Sequence, residues 1–150
     1  MNLKLRKSNL EDSNILFQLA NDFSVRNNSF NNQTIELKEH ENWYKSKLKD
    51  PKTTIFIAEV FDEFIGQIRI DIDNSSAMIS YAICKNHRKK GYGTEILVVL
   101  ENLVKSAYPE IQELIGRVKY DNIGSQKVFE KLNYMRIDEA KYIEYRKKLL

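Results

Sequence analysis

A basic, glycine-containing turn is the part of the sequence best suited to chemistry. Arg88, Lys89 and Lys90 precede Gly91 and Gly93, between a strand-like segment and an amphipathic helix. The start of a helix presents unpaired N–H groups and a partial positive charge, and glycine lets the backbone approach a ligand closely. The turn therefore predicts a binding site for a phosphate or polyphosphate group.

Two other phosphate-binding motifs can be compared with this turn. A Walker loop needs the spacing Gly-x-x-x-x-Gly-Lys-Ser/Thr, which the turn does not have. A dinucleotide-binding turn needs a third glycine three positions after Gly93, where the chain has Ile96. Neither nucleotide motif fits, and the remaining alternative to a phosphate site is a basic surface turn that only caps a helix.

The elements around the turn alternate between strand-like and helix-like periodicity. The predicted strands cover residues 2–6, 53–61, 64–72, 77–84 and 114–119, with a weaker extended segment at 134–145. The predicted helices begin near Ser8 or Asn9, near Ile35, at Gly93 and at Asn122, and a polar loop covers residues 25–34. This order predicts an α/β fold on a mixed sheet.

Length and composition indicate one globular domain, over residues 1–150. Basic residues number 24 and acidic residues 21, so the net charge is only +3, which does not favour nucleic acid or a membrane as a partner. Cys84 is the only cysteine and there are two histidines, which argues against a disulfide framework and a metal site. The start of the chain lacks the apolar core of a signal peptide and no run could span a bilayer, so a cytoplasmic protein is expected.

The turn and a later block together resemble the GNAT acetyltransferase superfamily. The pattern Arg88-x-x-Gly91-x-Gly93, directly after a strand, is similar to that family's acyl-CoA pyrophosphate loop. In the later block Asn122 opens a helix and Ser125 follows three positions on, as in the family. The resemblance implies a single GNAT-type domain with a mostly antiparallel central sheet flanked by helices. It also implies an N-acetyltransferase in which a neutral primary amine attacks the thioester of acetyl-CoA directly.

The resemblance also implies which residues contact the cofactor. In the family, backbone groups of the strand before the loop bind the pantetheine arm, and the N–H groups of the loop, here residues 89–94, bind the pyrophosphate. Arg88 and Lys90 would add charge, and Asn122 would lie beside the pantetheine and the 3′-phosphate ADP end. The expected cofactor-binding residues are Tyr81, Ile83, Arg88, Lys89, Lys90, Gly91, Tyr92, Gly93, Thr94, Asn122 and Ser125.

Two positions depart from the family's common catalytic pattern. Met78 stands where many relatives have a glutamate, and Phe129 stands where many have a tyrosine that protonates the thiolate. A base is still needed, because an ammonium group cannot attack a thioester. Asp71, or a water that it holds, is the candidate base, and an exposed carboxylate or an ion pair with Arg69 is the alternative role for Asp71.

The proton donor to the leaving thiolate is also open, since phenylalanine cannot donate a proton. Tyr134 is the first candidate, Tyr120 and Tyr92 are others, and a thiolate of CoA can also take its proton from water. Cys84 ends an apolar strand, and a buried thiol is inert, so it is not expected to act as a nucleophile.

The region between the first two strands resembles a narrower group, the amino-sugar N-acetyltransferases of the pseudaminic-acid type. Those enzymes acetylate a nucleotide-activated 4-amino sugar. The resemblance is carried by Val-Arg-x-x-Ser-Phe at residues 25–30, Glu-His-x-x-Trp at residues 39–43 and the strand around residues 67–71. The expected acceptor-binding residues are Arg26, Asn28, His40, Trp43 and Arg69. Arg26 is the strongest candidate, as a clamp for a diphosphate, because an arginine in a polar loop that faces the expected acceptor cleft has little structural reason to be there.

Other acceptors and one other class of function stay open. The nearest enzyme alternatives acetylate a protein N-terminus, as ribosomal-protein acetyltransferases do, or a polyamine; an acidic groove would favour the polyamine, but the region around Arg26 is not acidic. The absence of the usual catalytic residues at Met78 and Phe129 also allows a non-catalytic module that binds acyl-CoA. Acceptor recognition must come from residues 25–43 or from a second copy of the chain, as in a homodimer.

Overall fold

The computed structural model describes residues 2–149; the end residues 1 and 150 of the predicted domain lie outside the described residues. The strands are β1 Leu3–Lys7, β2 Thr53–Val60, β3 Glu63–Asp73, β4 Ser76–Ile83, β5 Glu113–Val118, β6 Met135–Asp138 and β7 Ile143–Lys148. The helices are α1 Ser13–Ala20, α2 Phe23–Asn28, α3 Leu37–Lys49, α4 Tyr92–Ala107 and α5 Ile123–Lys131. Short 3-10 turns at Leu10–Asp12 and Lys85–His87 precede α1 and the glycine turn.

The strands form one sheet in the order β1-β2-β3-β4-β5-β7-β6. Only β4 and β5 are parallel among the paired strands of residues 2–149; the other pairs are antiparallel. The crossover from β4 to β5 runs through α4, as a parallel connection requires. The predicted single-domain α/β fold, with a mixed and mostly antiparallel sheet flanked by helices, is confirmed.

Helices cover both faces of this sheet, as the burial along β2 shows. Ile55 and Ile57 pack in a cluster with Tyr44 of α3 and with α1. The alternate residues Phe56 and Ala58 belong to the larger core, which α4 and α5 cover from the other side. Because successive side chains of a strand point to opposite faces, α1 and α3 lie on one face and α4 and α5 on the other.

Two segments differ from the sequence prediction. Phe23–Asn28 is helical, because the side chain of Asp22 accepts hydrogen bonds from the N–H groups of Ser24 and Val25 and caps the helix; the predicted loop is wrong there. The segment predicted as extended at 134–145 is a hairpin of β6 and β7. The later strand, β7, inserts next to β5 and leaves β6 at the edge of the sheet.

Candidate active site

The sheet opens between β4 and β5. The two strands pair over only four residues, the last pair being Ile79 and Gly116, although β4 continues to Ile83. The N–H of Cys84 donates to Ile65 of β3. Since backbone groups alternate sides along a strand, those of Tyr81 and Ile83 point away from β3 and into the opening. The opening is therefore edged by backbone groups that an extended, amide-containing ligand can bind.

A cleft of about 1200 Å³ lies along this opening. At one end it is lined by the glycine turn and by the first residues of α4 and α5. At the other end it is lined by α2, residues 29–31, the first half of α3 and part of β3, and the last residues of β4 lie between the two ends. The cleft thus has room for a cofactor at one end and an acceptor at the other.

The glycine turn begins α4 in a way that leaves room for a phosphate. Gly91 is the N-cap residue and has a left-handed backbone, with φ of 84°, a conformation that glycine adopts without strain. A Cβ on Gly93 would lie 3.4 Å from Val128 of α5 and 3.7 Å from the ring of Tyr81. The predicted residues from Lys89 to Thr94 line the cleft, except Lys90.

Arg88 lies in the wall of the cleft, but its guanidinium is already paired inside the protein. Nε donates to the carbonyl of Ile83 at 3.0 Å, and Nη2 donates to the carboxylate of Asp22 at 2.7 Å. Burial tends to raise the pKa of Asp22, but the Arg88 bond and the helix-capping bonds outweigh it and lower that pKa. Arg88 thus fixes the turn against α2; its contact with a cofactor stays a prediction.

The start of α5 meets β4 at the predicted cofactor residues. The side chain of Asn122 accepts a hydrogen bond from the N–H of Ser125 at 3.2 Å, and the hydroxyl groups of Ser125 and Tyr81 are 3.0 Å apart. Gln126 donates to the carbonyls of Lys119 and Tyr120 and so fixes the connection that leads into α5. The sequence did not predict this role of Gln126, because the carbonyls of Lys119 and Tyr120 come close to its side chain only when the chain folds back into α5.

The two predicted catalytic residues lie outside the lining of the cleft. Tyr134 is 5% exposed and donates a hydrogen bond to Glu101 of α4 at 2.8 Å, and burial together with the charge of Glu101 raises its pKa well above the usual range. Asp71 accepts hydrogen bonds from Thr53 at 2.7 Å and from Arg69 at 2.9 Å. Tyr134 is thus a core residue, and Asp71 forms the ion pair that was its alternative role, so the geometry favours neither as a catalytic group.

Phe129 lines the cleft, and its ring also belongs to the core. It stacks on Tyr145 at 5.1 Å between ring centroids and meets Tyr134 edge-on at 4.9 Å. Gly116 of β5 lies directly under this ring, where a Cβ would overlap it. These contacts explain a large apolar side chain at this position of α5.

Arg26 has a structural task that the sequence did not reveal. Its Nε donates to the carbonyl of Ala20 at 2.6 Å, and Nη1 donates to the carbonyls of Asn31 and Gln33 at 2.9 and 3.2 Å. Its Nη2 donates to the hydroxyl of Ser29 at 3.2 Å. Arg26 thus holds the loop after α2 and also lines the cleft; its contact with an acceptor stays a prediction.

A second arginine, Arg117, lies in the same row as the predicted residue Arg69 and was not predicted from the sequence. Arg69 of β3 pairs with Ser80 of β4, and Arg117 follows Gly116, the residue that pairs with Ile79. Since directly paired residues share a face, Arg69, Ser80 and Arg117 lie in one row on the cleft face of the sheet. The alternation of the strand at 114–119 places Arg117 on the face opposite Leu114 and Val118, which is the signal that could have found it.

Three other predicted acceptor residues, Asn28, His40 and Trp43, also line the cleft. Trp43 is 39% exposed, and the guanidinium of Arg69 lies 5.5 Å from the centre of its ring. His40 is almost fully buried, with Nε2 3.0 Å from the carbonyl oxygen of Ser13. The acceptor end therefore combines an exposed aromatic ring, two arginines and an imidazole.

The family of the chain follows from its sequence and agrees with this site. A profile of the acetyltransferase (GNAT) domain matches residues 2–135, so the chain belongs to the GNAT acetyltransferase family. An uncharacterized N-acetyltransferase of Bacillus subtilis (strain 168), YjdG, is 36% identical over 63 residues, which are 42% of this chain and 37% of YjdG. The match thus spans little more than a third of the length of that curated relative.

Solved structures share the fold over nearly the whole chain. Spermidine N-acetyltransferase from Vibrio cholerae, in complex with CoA and spermine, has a TM-score of 0.89 at 15% identity, over 99% of this chain and 96% of its own. AAC(6′)-Ib in complex with ribostamycin and coenzyme A has a TM-score of 0.87 at 17% identity, over 99% and 94%. The ribosomal-protein alpha-N-acetyltransferase RimL, in complex with coenzyme A, has a TM-score of 0.83 at 12% identity, over 99% and 95%. At such low identity these structures establish the fold alone.

Residues 2–149, which the structure describes, contain neither a membrane-spanning helix nor a metal-binding cluster. No helix is both long and apolar enough to cross a bilayer. No group of three or more histidine, cysteine, aspartate or glutamate side chains comes together in a way that could hold a metal ion.

Proposed function

We propose that the chain transfers an acetyl group from acetyl-CoA to the primary amine of a nucleotide-linked amino sugar. Family membership and the CoA complexes of its structural neighbours support the donor. The observation that carries the acceptor is the row of Arg69, Ser80 and Arg117 across the cleft face of the sheet. Two arginines beside one cleft favour an acceptor that carries phosphate groups.

At the cofactor end, the chain's own groups orient the donor. The backbone of Tyr81 and the N–H of Ile83 can bond the amides of a pantetheine arm, while the Ile83 carbonyl accepts from Arg88. The start of α4 at Gly91 and Gly93 offers N–H groups to a pyrophosphate. Acetyl-CoA supplies the acetyl group as a thioester. Orientation of the two reactants in one cleft supplies much of the rate in such a direct transfer.

At the acceptor end, each arginine is held so that its outer nitrogens stay available. Asp71 binds Arg69 through Nε at 2.9 Å, and Glu144 binds Arg117 through Nε at 3.1 Å. The guanidinium of Arg117 also lies 4.9 Å from the ring centre of Tyr142. A guanidinium fixed through Nε keeps its two terminal NH₂ groups for a ligand, and two such groups match a diphosphate. The exposed ring of Trp43 beside Arg69 can stack on a base or a sugar.

The charge of the cleft distinguishes this acceptor from a polyamine. A polyamine is a polycation, and a site for it needs carboxylates that face the ligand. Here Glu39 and Asp121 are the carboxylates in the described lining, whereas Arg69, Arg117 and Lys89 are among its cations. The acceptor of the spermidine N-acetyltransferase of Vibrio cholerae is therefore not proposed for this chain.

A panel of acceptors tests the proposed function. Release of CoA from acetyl-CoA would be measured with a nucleoside-diphosphate 4-amino sugar, the same amino sugar without its nucleotide, spermidine, and a peptide with a free N-terminus. We expect turnover with the nucleotide-linked sugar and much less with the others. Turnover of spermidine or the peptide instead would overturn the acceptor assignment, and tight binding of acetyl-CoA without turnover of any amine would support a non-catalytic module.

Substitution of the two arginines tests the acceptor site directly. For Arg69→Gln and Arg117→Gln we expect the KM for the nucleotide-linked sugar to rise about 10- to 100-fold each, because a hydrogen bond to a charged group contributes about 1.5–3 kcal/mol. The KM for acetyl-CoA should not change. Glu144 keeps its bond to Arg146 at 2.7 Å, so Arg117→Gln leaves no buried carboxylate unpaired.

The matched control is Arg136→Gln. Arg136 is paired with Glu130 and Asp138, outside the lining of the cleft, so its loss should leave both KM values unchanged. A second control is the substrate itself: the amino sugar without its nucleotide should be insensitive to both cleft substitutions. Equal losses with the two sugars would show that the arginines do not bind the phosphate groups.

A further inference from the structure

His40 is held in one orientation by the backbone of α1. Its Nε2 lies 3.0 Å from the carbonyl oxygen of Ser13. A carbonyl oxygen can only accept a hydrogen bond, so Nε2 carries the proton of the neutral ring and Nδ1 carries a free lone pair. The geometry therefore selects one tautomer, and that tautomer has a basic nitrogen to offer.

Three aromatic rings pack around the imidazole of His40. It stacks on Tyr44 at 5.8 Å with an angle of 8° between the planes, and the rings of Phe17 and Trp43 lie 5.3 and 6.0 Å away. The residue is 3% exposed, and it lines the cleft. His40 is thus a fixed group in the wall of the acceptor end, on the same side as Trp43.

The charged groups near His40 are few. On its own helix, Glu39 lines the cleft and Glu41 interacts with the ring electrostatically, while the hydroxyl of Tyr44 is bonded to the carbonyl of Asn9. The other elements packed against α3 contribute the Ser13 carbonyl and the Phe17 ring from α1, and apolar residues from β2. Arg69 of β3 lies beyond Trp43.

This environment keeps His40 neutral at physiological pH. Burial lowers its pKa below the ordinary value of 6.5, and the bond to Ser13 and the charge of Glu41 oppose the shift only in part. A neutral imidazole with a free lone pair is the form in which histidine accepts a proton. The chain needs such a group, because Met78 stands at the position of the usual glutamate and Asp71 lies outside the cleft lining.

We propose that Nδ1 of His40 is the general base that takes the proton from the acceptor's ammonium group, directly or through one water. The proposal depends on the proposed function only in requiring an amine acceptor, whatever its identity. The ammonium gives one proton to His40, which passes it to water, and the neutral amine attacks the thioester carbon. The C–N bond forms and the C–S bond breaks; the second nitrogen proton goes to the leaving thiolate, so that one proton is released in each turnover.

The tautomer is tested first, in the free protein and without any acceptor. The chain has two histidines, so long-range ¹H–¹⁵N spectra of the imidazoles are simple, and the His40→Gln variant assigns them. We expect His40 to be protonated at Nε2, unprotonated at Nδ1, and to titrate below 6.5. Protonation at Nδ1 in the neutral ring would overturn the proposal by itself.

The kinetic test uses whichever amine of the panel is turned over. The amide nitrogen of glutamine can donate to the Ser13 carbonyl in place of Nε2, so His40→Gln keeps that bond but removes the basic nitrogen. We expect kcat/KM to fall about 100-fold or more, with the KM for acetyl-CoA unchanged. The acidic limb of the pH profile should disappear in His40→Gln and persist in Glu39→Gln, which removes the carboxylate in the same wall.

The outcomes separate the two proposals. If His40→Gln keeps the acidic limb, or if Glu39→Gln removes it, His40 is not the base, whichever acceptor is used. If His40→Gln fails to fold, His87→Gln assigns the two imidazoles by elimination. The wild-type profile then decides, because its acidic limb must match the pKa that the spectra give for His40. If no amine is turned over, the proposed function fails and the base role fails with it, whereas the wrong tautomer defeats the base role alone.

Discussion

The hydroxyl of Tyr134 is held in the core by hydrogen bonding to a single carboxylate. Its hydroxyl donates to Glu101 at 2.8 Å, and the ammonium group of Lys147 lies 3.0 Å from the same carboxylate and donates to the carbonyl of Leu132 at 2.8 Å. The buried carboxylate thus has two donors, from the start of the hairpin and from β7. The carboxylate thus joins α4 to β7 and to the residue that directly precedes β6.

Tyr134→Phe separates this structural role from catalysis. Glu101 loses one donor, so we expect the free energy of unfolding to fall by about 1–2 kcal/mol, with kcat for acetyl transfer unchanged because the hydroxyl lies outside the cleft lining. Urea unfolding and steady-state kinetics measure the two quantities. Tyr120→Phe is the control, since that hydroxyl bonds an exposed backbone carbonyl, of Glu139, and its loss should change stability much less. A large loss of kcat in Tyr134→Phe would restore Tyr134 as the proton donor.

The residues that could be predicted from the sequence are those whose role is local. Gly91 and Gly93 were predicted as the phosphate turn because a helix start and its glycines are close in the chain, and Asn122 was predicted at the opening of α5 for the same reason. The role of Arg26 could not be predicted, because the carbonyls of Ala20 and Asn31 become its partners only when the loop after α2 folds back.

Among the helices and strands, the short helix α2 is joined to the glycine turn through one carboxylate. One carboxylate oxygen of Asp22 accepts hydrogen bonds from the N–H groups of Ser24 and Val25 at 3.0 and 3.3 Å and from Arg88 at 2.7 Å. The same side chain therefore begins α2, which lines the cleft, and fixes Arg88, which lines it beside the glycine turn. The two walls of the cleft are linked through this single group.

Two substitutions separate the cap from the ion pair. Asn caps a helix about as well as Asp, so Asp22→Asn should lose only the charge-assisted part of the Arg88 bond and lower the free energy of unfolding by about 1 kcal/mol. Asp22→Ala should lose the cap as well and lower the free energy of unfolding by about 2 kcal/mol in total. Urea unfolding at neutral pH measures both. Equal losses for the two variants would contradict a separate contribution from the ion pair.

The difference in free energy of unfolding between the wild type and Asp22→Asn should depend on pH, which gives a further check. The pKa of Asp22 is lowered in the folded protein from its ordinary value of 3.8, so the unfolded chain binds its proton first as the pH falls. The ion-pair contribution is then complete above pH 3.8 and is lost as the pH falls through the lower folded value. The difference in stability between the wild type and Asp22→Asn should narrow over that range.

At the scale of the whole molecule, the sheet consists of two parts. Strands β1 to β4 form one part and β5 to β7 the other, and they are paired over only four residues, 76–79 with 113–116. The antiparallel pairing of β2, β3 and β4 could be predicted, because these strand-like segments follow one another with only short turns between them. The insertion of β7 beside β5 could not, since it depends on pairing between segments far apart in the chain, such as Val118 with Ile143.

A ligand that fills the opening should join the two parts and stabilise the whole fold. With acetyl-CoA at about 100 times its Kd, mass action adds about 2.7 kcal/mol, which for a domain of this size raises Tm by about 5–10 °C. Gly93→Asp should abolish the shift, because a carboxylate would enter the phosphate site. Asn14→Asp is the control, since it adds the same charge to an exposed position near the start of α1, outside the lining of the cleft.

Hydrogen exchange can place that stabilisation within the sheet. The N–H groups of Tyr81 and Ile83 point into the opening, so they should exchange quickly in the free protein and slowly with acetyl-CoA bound. The N–H of Ala82 points to β3, where Ala82 pairs with Gln67, and it should be protected in both states. Because these three amides are consecutive, a general tightening of the fold would slow all of them together. Increased protection of Tyr81 and Ile83 relative to Ala82 therefore reports a ligand lying along β4. Equal protection of all three amides in the free protein would show instead that the sheet is closed between β4 and β5.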